Sequence, residues 1–217
     1  MDLFSRSWAA LRATVAGLPD TAFEQPSGCR GWLVQDLVYH LIVDAQDVLI
    51  TLVTPTDAEP TRNAVTYWDV VDAPAGDDPL AALTVRVAAA YGEPGLLRFH
   101  LDDVGSAAGR AAELADPDLR VGTKDQVLTV GDYLSAYVLE WTLHHLDLIT
   151  RLPDVAGPAA DALSHSRATL EALAGTAFPA SFPDVDVLLI GTGRRAASEK
   201  EKTELGEVAA RLPLVLG

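Results

Sequence analysis

The sequence has few basic residues: 16 Lys and Arg stand against 31 Asp and Glu, which gives a net charge of −15 over 217 residues. Proteins that bind nucleic acid usually carry an excess of cations that neutralise phosphates, so this balance argues against a nucleic-acid partner. It disfavours anionic membrane surfaces for the same reason. The charge places no limit on a small-molecule substrate, because a local pocket can carry the opposite sign.

Cysteine and long apolar runs are also scarce. Cys29 is the single cysteine, so the chain cannot form an intramolecular disulfide, which suits a reducing cytoplasm. The most apolar stretch, around residues 48–53, is too short to span a bilayer. Residues 1–18 form an amphipathic pattern without the continuous apolar run of a signal peptide. We therefore expect a cytoplasmic globular protein with no membrane partner.

Apolar residues recur at helical spacing in several long segments. A carboxylate at Asp78 suits the cap of one of them, and Thr129 with Asp132 resembles the capping pair of another. The predicted helices cover about residues 8–18, 34–54, 78–114 with a break at 92–94, and 129–151. Four long helices with a crossing connection indicate a four-helix bundle, which we place at residues 1–152.

The remaining residues, 153–217, are predicted to form a helix–strand–helix extension packed on the bundle. A helix covers about residues 158–173, and Val185–Ile190 is the best strand candidate in the chain. Ser198 and Glu201 resemble a capping box that opens a last helix. Residues 120–128 favour a short hairpin or an extended loop, and are the nearest candidate partner for the strand. The expected fold is mainly α, with a small α/β extension at the C-terminal end.

Three residues have the pattern of a metal site. Glu140 and His144 are four residues apart, so on a helix both side chains leave the same face. His40 lies on the second predicted helix and would reach the same interior. Two nitrogen donors and a carboxylate can hold a divalent metal and leave one position open. Taken alone, His40 is more often a packed or solvated residue. A carboxylate on an apolar helix face is costly to bury unless it is paired or metal-bound, so Glu140 supports the site, with a buried salt bridge to an arginine as the alternative.

Several neighbours of these residues are secondary candidates. Asp147 either accepts a hydrogen bond from His144 or is a solvated helix residue. Asp44 follows His40 on the same helix face and either contacts the bound species or, as we favour in so acidic a chain, is a surface acid; Asp47 has the same alternatives. His145 points about 100° away from His144 and is interpreted as a packing or rim residue.

Other polar residues are less informative. Cys29 lies beside a basic neighbour that favours the thiolate, but a small packed residue at the mouth of the bundle is the preferred interpretation. Residues 191–193 lack the third glycine of a dinucleotide loop and the lysine of a phosphate loop, so a tight turn is expected. Arg194 and Arg195 are candidates for binding an anionic cofactor or for pairing with surface acids. His100 and His165 have no partner at metal-ligand spacing.

Two motifs resemble a known family. Gly31-Trp32, Asp36-Leu37-Val38 and His40-Leu41 are similar to the Gly-Trp-x3-Asp-hydrophobic-x-x-His signature of DinB-like proteins. Glu140-x3-His144-x2-Asp147 resembles the second metal motif of one branch, the mycothiol-dependent maleylpyruvate isomerase N-terminal domain. The resemblance covers about residues 8–151. One departure is Leu33, which replaces the usual Ser or Thr cap of the second helix, so that helix start would rely on Ser27 or water.

The resemblance implies a DinB-like bundle that binds a divalent metal, usually zinc, through His40, Glu140 and His144. It also implies a low-molecular-weight thiol such as mycothiol as cosubstrate, with a small electrophile as its partner. The implied activity is S-transfer or cis–trans isomerisation. A metal-dependent hydrolase and a non-enzymatic metal or small-molecule binding protein are the alternatives. A homodimer is compatible with all three.

Overall fold

The structure is a computed structural model that describes residues 2–71 and 79–216. These residues are mainly helical, as predicted. The eight α-helices among them are α1 (Leu3–Gly17), α2 (Val34–Leu52), α3 (Pro79–Ala90), α4 (Pro94–Leu114), α5 (Val130–Ile149), α6 (Ala160–Ala174), α7 (Asp184–Gly191) and α8 (Glu199–Leu205). The predicted cap Asp78 lies outside the described residues, and the predicted break at residues 92–94 separates α3 from α4.

Helices α1, α2, α4 and α5 form the bundle, with α2 against α4 and α1 against α5 and α4, while α3 packs on α2. The indoles of Trp8 and Trp141 stack in its centre, 4.2 Å apart. Trp8 donates its ring N–H to the carbonyl oxygen of Gly105, 2.8 Å away. A Cβ at position 105 would lie only 2.8 Å from the Trp8 ring, so glycine there permits the close approach of α1 and α4. The bundle predicted from the sequence is confirmed.

The starts of the two helices that carry the candidate ligands are fixed by side chains. Thr129 accepts the backbone N–H of Asp132 at 3.1 Å, as predicted for α5. At α2 the Asp36 carboxylate accepts the backbone N–H of Leu33 at 2.8 Å. Ser27 plays no capping role, since its hydroxyl donates to the Trp32 carbonyl instead. Asp36 thus supplies the half of a capping box that reaches back to the N-cap N–H, while Leu33 cannot supply the hydroxyl half.

The strand predicted at Val185–Ile190 is wrong, because these residues form α7. A short apolar run buried on more than one side has the same composition as a helix or a strand, and periodicity does not separate the two. The local signals favour a helix. Pro183 precedes the first turn, and Asp184 and Asp186 lie within it, where carboxylates interact favourably with the helix dipole. Consequently the extension is helical where a strand was expected.

Two small antiparallel sheets complete the fold. Strands β2 (Arg120–Thr123) and β3 (Gln126–Thr129) form a hairpin with each other. Of the two predicted alternatives for residues 120–128, the hairpin is therefore correct and the extended loop is not. The expected pairing of this segment with Val185–Ile190 is wrong. Lys124 and Asp125 in its two-residue turn both have positive φ angles, as a tight hairpin turn requires. Strands β1 (Val70–Val71) and β4 (Val215–Leu216) pair, so the end of the chain is attached to the segment between α2 and α3.

Helix α5 contributes to two apolar cores. Its Trp141 and Tyr137 face the bundle core, whereas Leu139, Leu143 and Leu146 pack with apolar residues of the extension. The other buried members of this second core are Leu170, Ala174, Phe178, Phe182, Val187, Leu188, Ile190, Leu205, Val208 and Leu214. Among the described residues, no helix has both the length and the apolar character needed to cross a bilayer.

Candidate metal centre

The structure brings the three predicted ligands His40, Glu140 and His144 together and adds Asp44. His40 and Asp44 lie one turn apart on α2, and Glu140 and His144 lie one turn apart on α5. One ligand atom from each of the four side chains lies within 4.8 Å of all the others. Asp44 is buried, so its interpretation as a surface acid is wrong. Asp47 is partly exposed and lies 3.7 Å from Lys124.

The distances within this four-residue cluster suit a single cation. His40 Nε2 is 3.2 Å from Asp44 Oδ2 and 3.6 Å from Glu140 Oε1, and His144 Nε2 is 2.8 Å from Glu140 Oε1. Ligands held about 2.1 Å from one zinc-like ion lie roughly 3.0–3.5 Å from one another. Asp44 Oδ2 is buried and accepts no hydrogen bond from any described residue. A free carboxylate lone pair beside two imidazoles fits a divalent metal.

The electrostatics of the cluster point the same way. Burial raises the pKa of Asp44 to about 6, and nearby Glu140 adds to this while His40 opposes it. Burial alone would raise the pKa of Glu140, but the charge and hydrogen bond of His144 hold it well below its usual range. Burial would lower the pKa of His144, and the Glu140 and Asp147 carboxylates raise it well above its usual range. In the metal-free cluster a protonated His144 therefore compensates the buried carboxylates, and a bound divalent cation would take over that role.

A second set of contacts holds the His144 ring at Nδ1, the nitrogen that does not face Glu140. Its Nδ1 lies 3.1 Å from Asp147 Oδ2, and Asp147 is only 1% exposed. Arg194 donates two hydrogen bonds of 2.8 Å to the two Asp147 oxygens. Burial would raise the pKa of Asp147, but the hydrogen bonds from His144 and Arg194 lower it to about 2. Of the two alternatives for Asp147, the structure selects the contact with His144.

Cys29 lies beside this second set, with its Sγ 3.3 Å from Asp147 Oδ2 and 3.7 Å from His144 Nδ1. Cys29, His144 and Asp147 therefore also have the spacing of a metal site. The Arg194 guanidinium already supplies a positive charge to Asp147, so a second cation there would be repelled. Burial raises the pKa of Cys29, which favours the packed thiol expected from the sequence over a nucleophile.

The remaining candidates lie away from the cluster. Arg195 pairs with Asp186 and Glu201 inside the extension, which fits its interpretation as a partner of acidic groups. His145 is buried and contacts Thr14 Oγ1 and the Ala156 carbonyl, each at 3.1 Å, so the packing interpretation is confirmed. The last two histidines contact neighbours of their own, His100 with Tyr91 and His165 with Ser135.

The cluster is open to solvent on the His40 side, where that side chain is 26% exposed. The Trp32 ring lies 5.3 Å from the His40 ring and forms part of the same edge. A separate cavity of about 330 Å³ lies between the start of α1 and the start of α5, and none of its lining residues belongs to the cluster. We place the candidate chemistry at the cluster, because the cavity is lined mainly by apolar groups and lacks a comparable ligand set.

Sequence reasoning preferred the wrong alternative for one residue of this site and missed one contact. Asp44 was a candidate for contact with the bound species from its position one helical turn after His40, but nothing local distinguishes a buried carboxylate from an exposed one in so acidic a chain. The contact of Arg194 with Asp147 joins residues 47 positions apart, and no local pattern predicts it.

Comparison with known proteins identifies the bundle. Residues 4–149 match the model of a family described as "mycothiol maleylpyruvate isomerase N-terminal domain". The matched residues include all four cluster residues and Asp147 but end before the extension. Searches of curated proteins and of solved structures found no significant match. The family match covers about two thirds of the chain and the same helices that form the cluster, so the protein belongs to the mycothiol maleylpyruvate isomerase N-terminal domain family.

Proposed function

We propose that the protein is a metal-dependent S-transferase or isomerase that uses a low-molecular-weight thiol, mycothiol or a close relative, to attack small electrophiles. The observation that carries this proposal is the cluster itself: two imidazoles and two carboxylates from α2 and α5 at the spacing of metal ligands. Its exposed His40 edge gives a thiol access. The family match supports the mycothiol part of the proposal.

His40, Glu140 and His144 are the proposed ligands of a divalent metal, with zinc preferred for a set of two imidazoles and one carboxylate. Asp44 either completes the set or hydrogen-bonds the thiol or water beside it. When bound, the metal would favour the thiolate over the thiol, whose ordinary pKa is about 8.5. Asp147 orients the His144 ring by accepting its Nδ1–H, the arrangement that commonly fixes a histidine ligand.

The chemistry of the thiol then follows from its charge. The thiolate adds to an electrophilic carbon and forms a new C–S bond. In S-transfer, protonation of the resulting carbanion gives the product. In cis–trans isomerisation, addition converts a C=C bond into a single bond, rotation follows, and elimination restores the double bond and releases the thiol.

The first test concerns the ligands. We expect purified protein to contain about one divalent metal per chain, and the His40→Ala and His144→Ala variants to lose it. His165→Ala is the matched control, because His165 contacts Ser135 on the outer side of α5. Full metal content in both ligand variants would contradict the proposed site.

The second test concerns the activity. Maleylpyruvate-like and other small electrophiles are assayed with mycothiol, with and without a chelator, and activity is expected only with both thiol and metal. Turnover that needs metal but no thiol would identify a hydrolase instead. Metal-independent turnover would reject the mechanism, and metal binding with no turnover of any substrate would favour the binding-protein alternative.

A further inference from the structure

Arg194 belongs to the extension, yet its side chain hydrogen-bonds Asp147, the residue that contacts the candidate ligand His144. Its guanidinium meets the Asp147 carboxylate through two parallel hydrogen bonds of 2.8 Å. This two-point geometry fixes the orientation of a carboxylate as well as its charge. Position 194 lies beyond residue 149, where the family match ends. The bundle sequence alone therefore does not supply this contact.

The loop before α2 also holds Asp147 closely. Gly28 donates its backbone N–H to the Asp147 carbonyl oxygen at 2.8 Å. A Cβ at position 28 would lie 2.5 Å from Asp147 Oδ1 and 2.7 Å from its Cα. Only glycine fits at this distance, so both this loop and the guanidinium of Arg194 restrict the position of Asp147.

The orientation of Asp147 determines that of the His144 ring. A carboxylate only accepts hydrogen bonds, so the 3.1 Å contact places a proton on His144 Nδ1. Nε2 faces Glu140 Oε1, 2.8 Å away, so in the metal-free protein it is a donor as well, and a bound metal would take the place of that proton. If the carboxylate turned away, the ring would lose the contact that fixes both its rotation and the nitrogen directed at the cluster.

We propose that Arg194 is a positioning residue of this site: by fixing Asp147 it fixes the His144 ring, so the C-terminal extension is part of the metal centre. The inference rests on the proposed metal site. It assigns Arg194 a role different from the anion-binding one predicted from the sequence, because the Nε and Nη2 edge of its guanidinium is already committed to Asp147.

The test compares adjacent arginines in the full-length protein. Co²⁺ affinity and the visible spectrum of the bound ion are measured for Arg194→Met, Arg194→Lys and Arg195→Met. Loss of a group that orients a ligand typically weakens metal affinity by about 10–100-fold, and we expect this for Arg194→Met, with an altered spectrum. Arg194→Lys keeps the positive charge but not the two-point contact with the carboxylate, so its Co²⁺ affinity should lie between those of Arg194→Met and the wild type. Arg195→Met is the control and should match the wild type.

A second measurement separates this inference from the proposed function. Nitrogen-15 NMR of the metal-free protein reports the protonation and environment of the His144 ring nitrogens. A wild type that binds no Co²⁺ overturns the proposed metal site, and the His144 signals then still test the positioning role. Unchanged affinity and unchanged His144 signals in Arg194→Met overturn the inference. Equal losses in Arg194→Met and Arg195→Met also overturn it, because they would indicate general destabilisation.

Discussion

The bundle and the C-terminal extension differ in the solvent exposure of several of their charged groups. The bundle buries Asp36, Asp44, His144 and Asp147, three of them at or beside the candidate metal centre. In the extension, the ion pairs of Arg195 with Asp186 and Glu201 are at least partly exposed. Buried charges cost stability unless they are fully compensated, whereas exposed pairs contribute little. The buried charge of the candidate metal centre therefore lies in the bundle, and the extension reaches it through Arg194.

The two regions nevertheless share one helix. The apolar residues of α5 that face away from the bundle core are covered by the extension, and Arg194 reaches back from the extension to Asp147. We propose that residues 1–152 and 153–217 form a single cooperative unit, although only the first belongs to the family match.

Truncation of the chain after Pro183 should have the largest effect, and it tests whether the bundle and the extension form one cooperative unit. This removes six buried apolar side chains from the core that Leu139 and Leu143 share with the extension: Val187, Leu188, Ile190, Leu205, Val208 and Leu214. Burial of each aliphatic side chain contributes about 1.5–3 kcal/mol, so the total is comparable with a typical stability of about 5–15 kcal/mol. We expect the truncated protein to lose cooperative unfolding, measured by circular dichroism. Unchanged stability, metal content and activity would show that the extension is an independent appendage.

Single core substitutions in each region test the same cooperativity with a smaller change. Leu188 in the extension and Leu41 in the bundle are both 0% exposed. Each change to alanine should cost about 2–5 kcal/mol, because a cavity remains where the side chain was. In a single cooperative unit, both variants shift the same transition in a denaturant titration. Two separate transitions, with Leu188→Ala affecting only one of them, would argue for two independent domains.

The fold was more predictable in the bundle than in the extension for a physical reason. The bundle helices are long and one-sided, so their periodicity extends over many turns, and Thr129 marks the start of α5 with a recognisable cap. Helix α7 has only 8 residues and is buried on more than one face, so residues 185–190 carry no period that separates a helix from a strand. The β1–β4 pairing joins distant residues, and no local signal indicates it.

A smaller effect is expected when the charge of Asp44 is removed. Asp44→Asn preserves the shape of the side chain but weakens its interaction with a cation, so we expect metal affinity to fall by about tenfold. Asp47→Asn is the matched control, since Asp47 lies three residues along the same helix but pairs with Lys124 near the surface. Equal metal affinities for the two variants, measured by competition with a chromogenic chelator, would remove Asp44 from the site.

The candidate site divides in the same way into predictable and unpredictable parts. The spacing of Glu140 and His144 is a property of one helix, so it could be read from the sequence. That His40 faces the pair follows from the bundle and from the family resemblance. The burial of Asp44 and the contact of Cys29 with Asp147 depend on how α2, α5 and the loop before α2 approach one another. Such distances between elements are not encoded in any local pattern.

The smallest predicted effect tests the exposed ion pairs of the extension. The hydrogen bond from Arg195 lowers the pKa of Glu201 to about 2, from an ordinary value of 4.5. Because the folded-state pKa is below the ordinary value, the pair stabilises the protein above about pH 4.5, and this contribution is lost as the pH falls towards 2. Glu201→Gln should therefore reduce the loss of stability across that interval while leaving metal affinity unchanged. The measurement is a set of denaturant titrations over this pH range. A variant as acid-sensitive as the wild type would show that the pair contributes nothing, and a large loss of stability near neutral pH would mean that the extension depends on its surface charges after all.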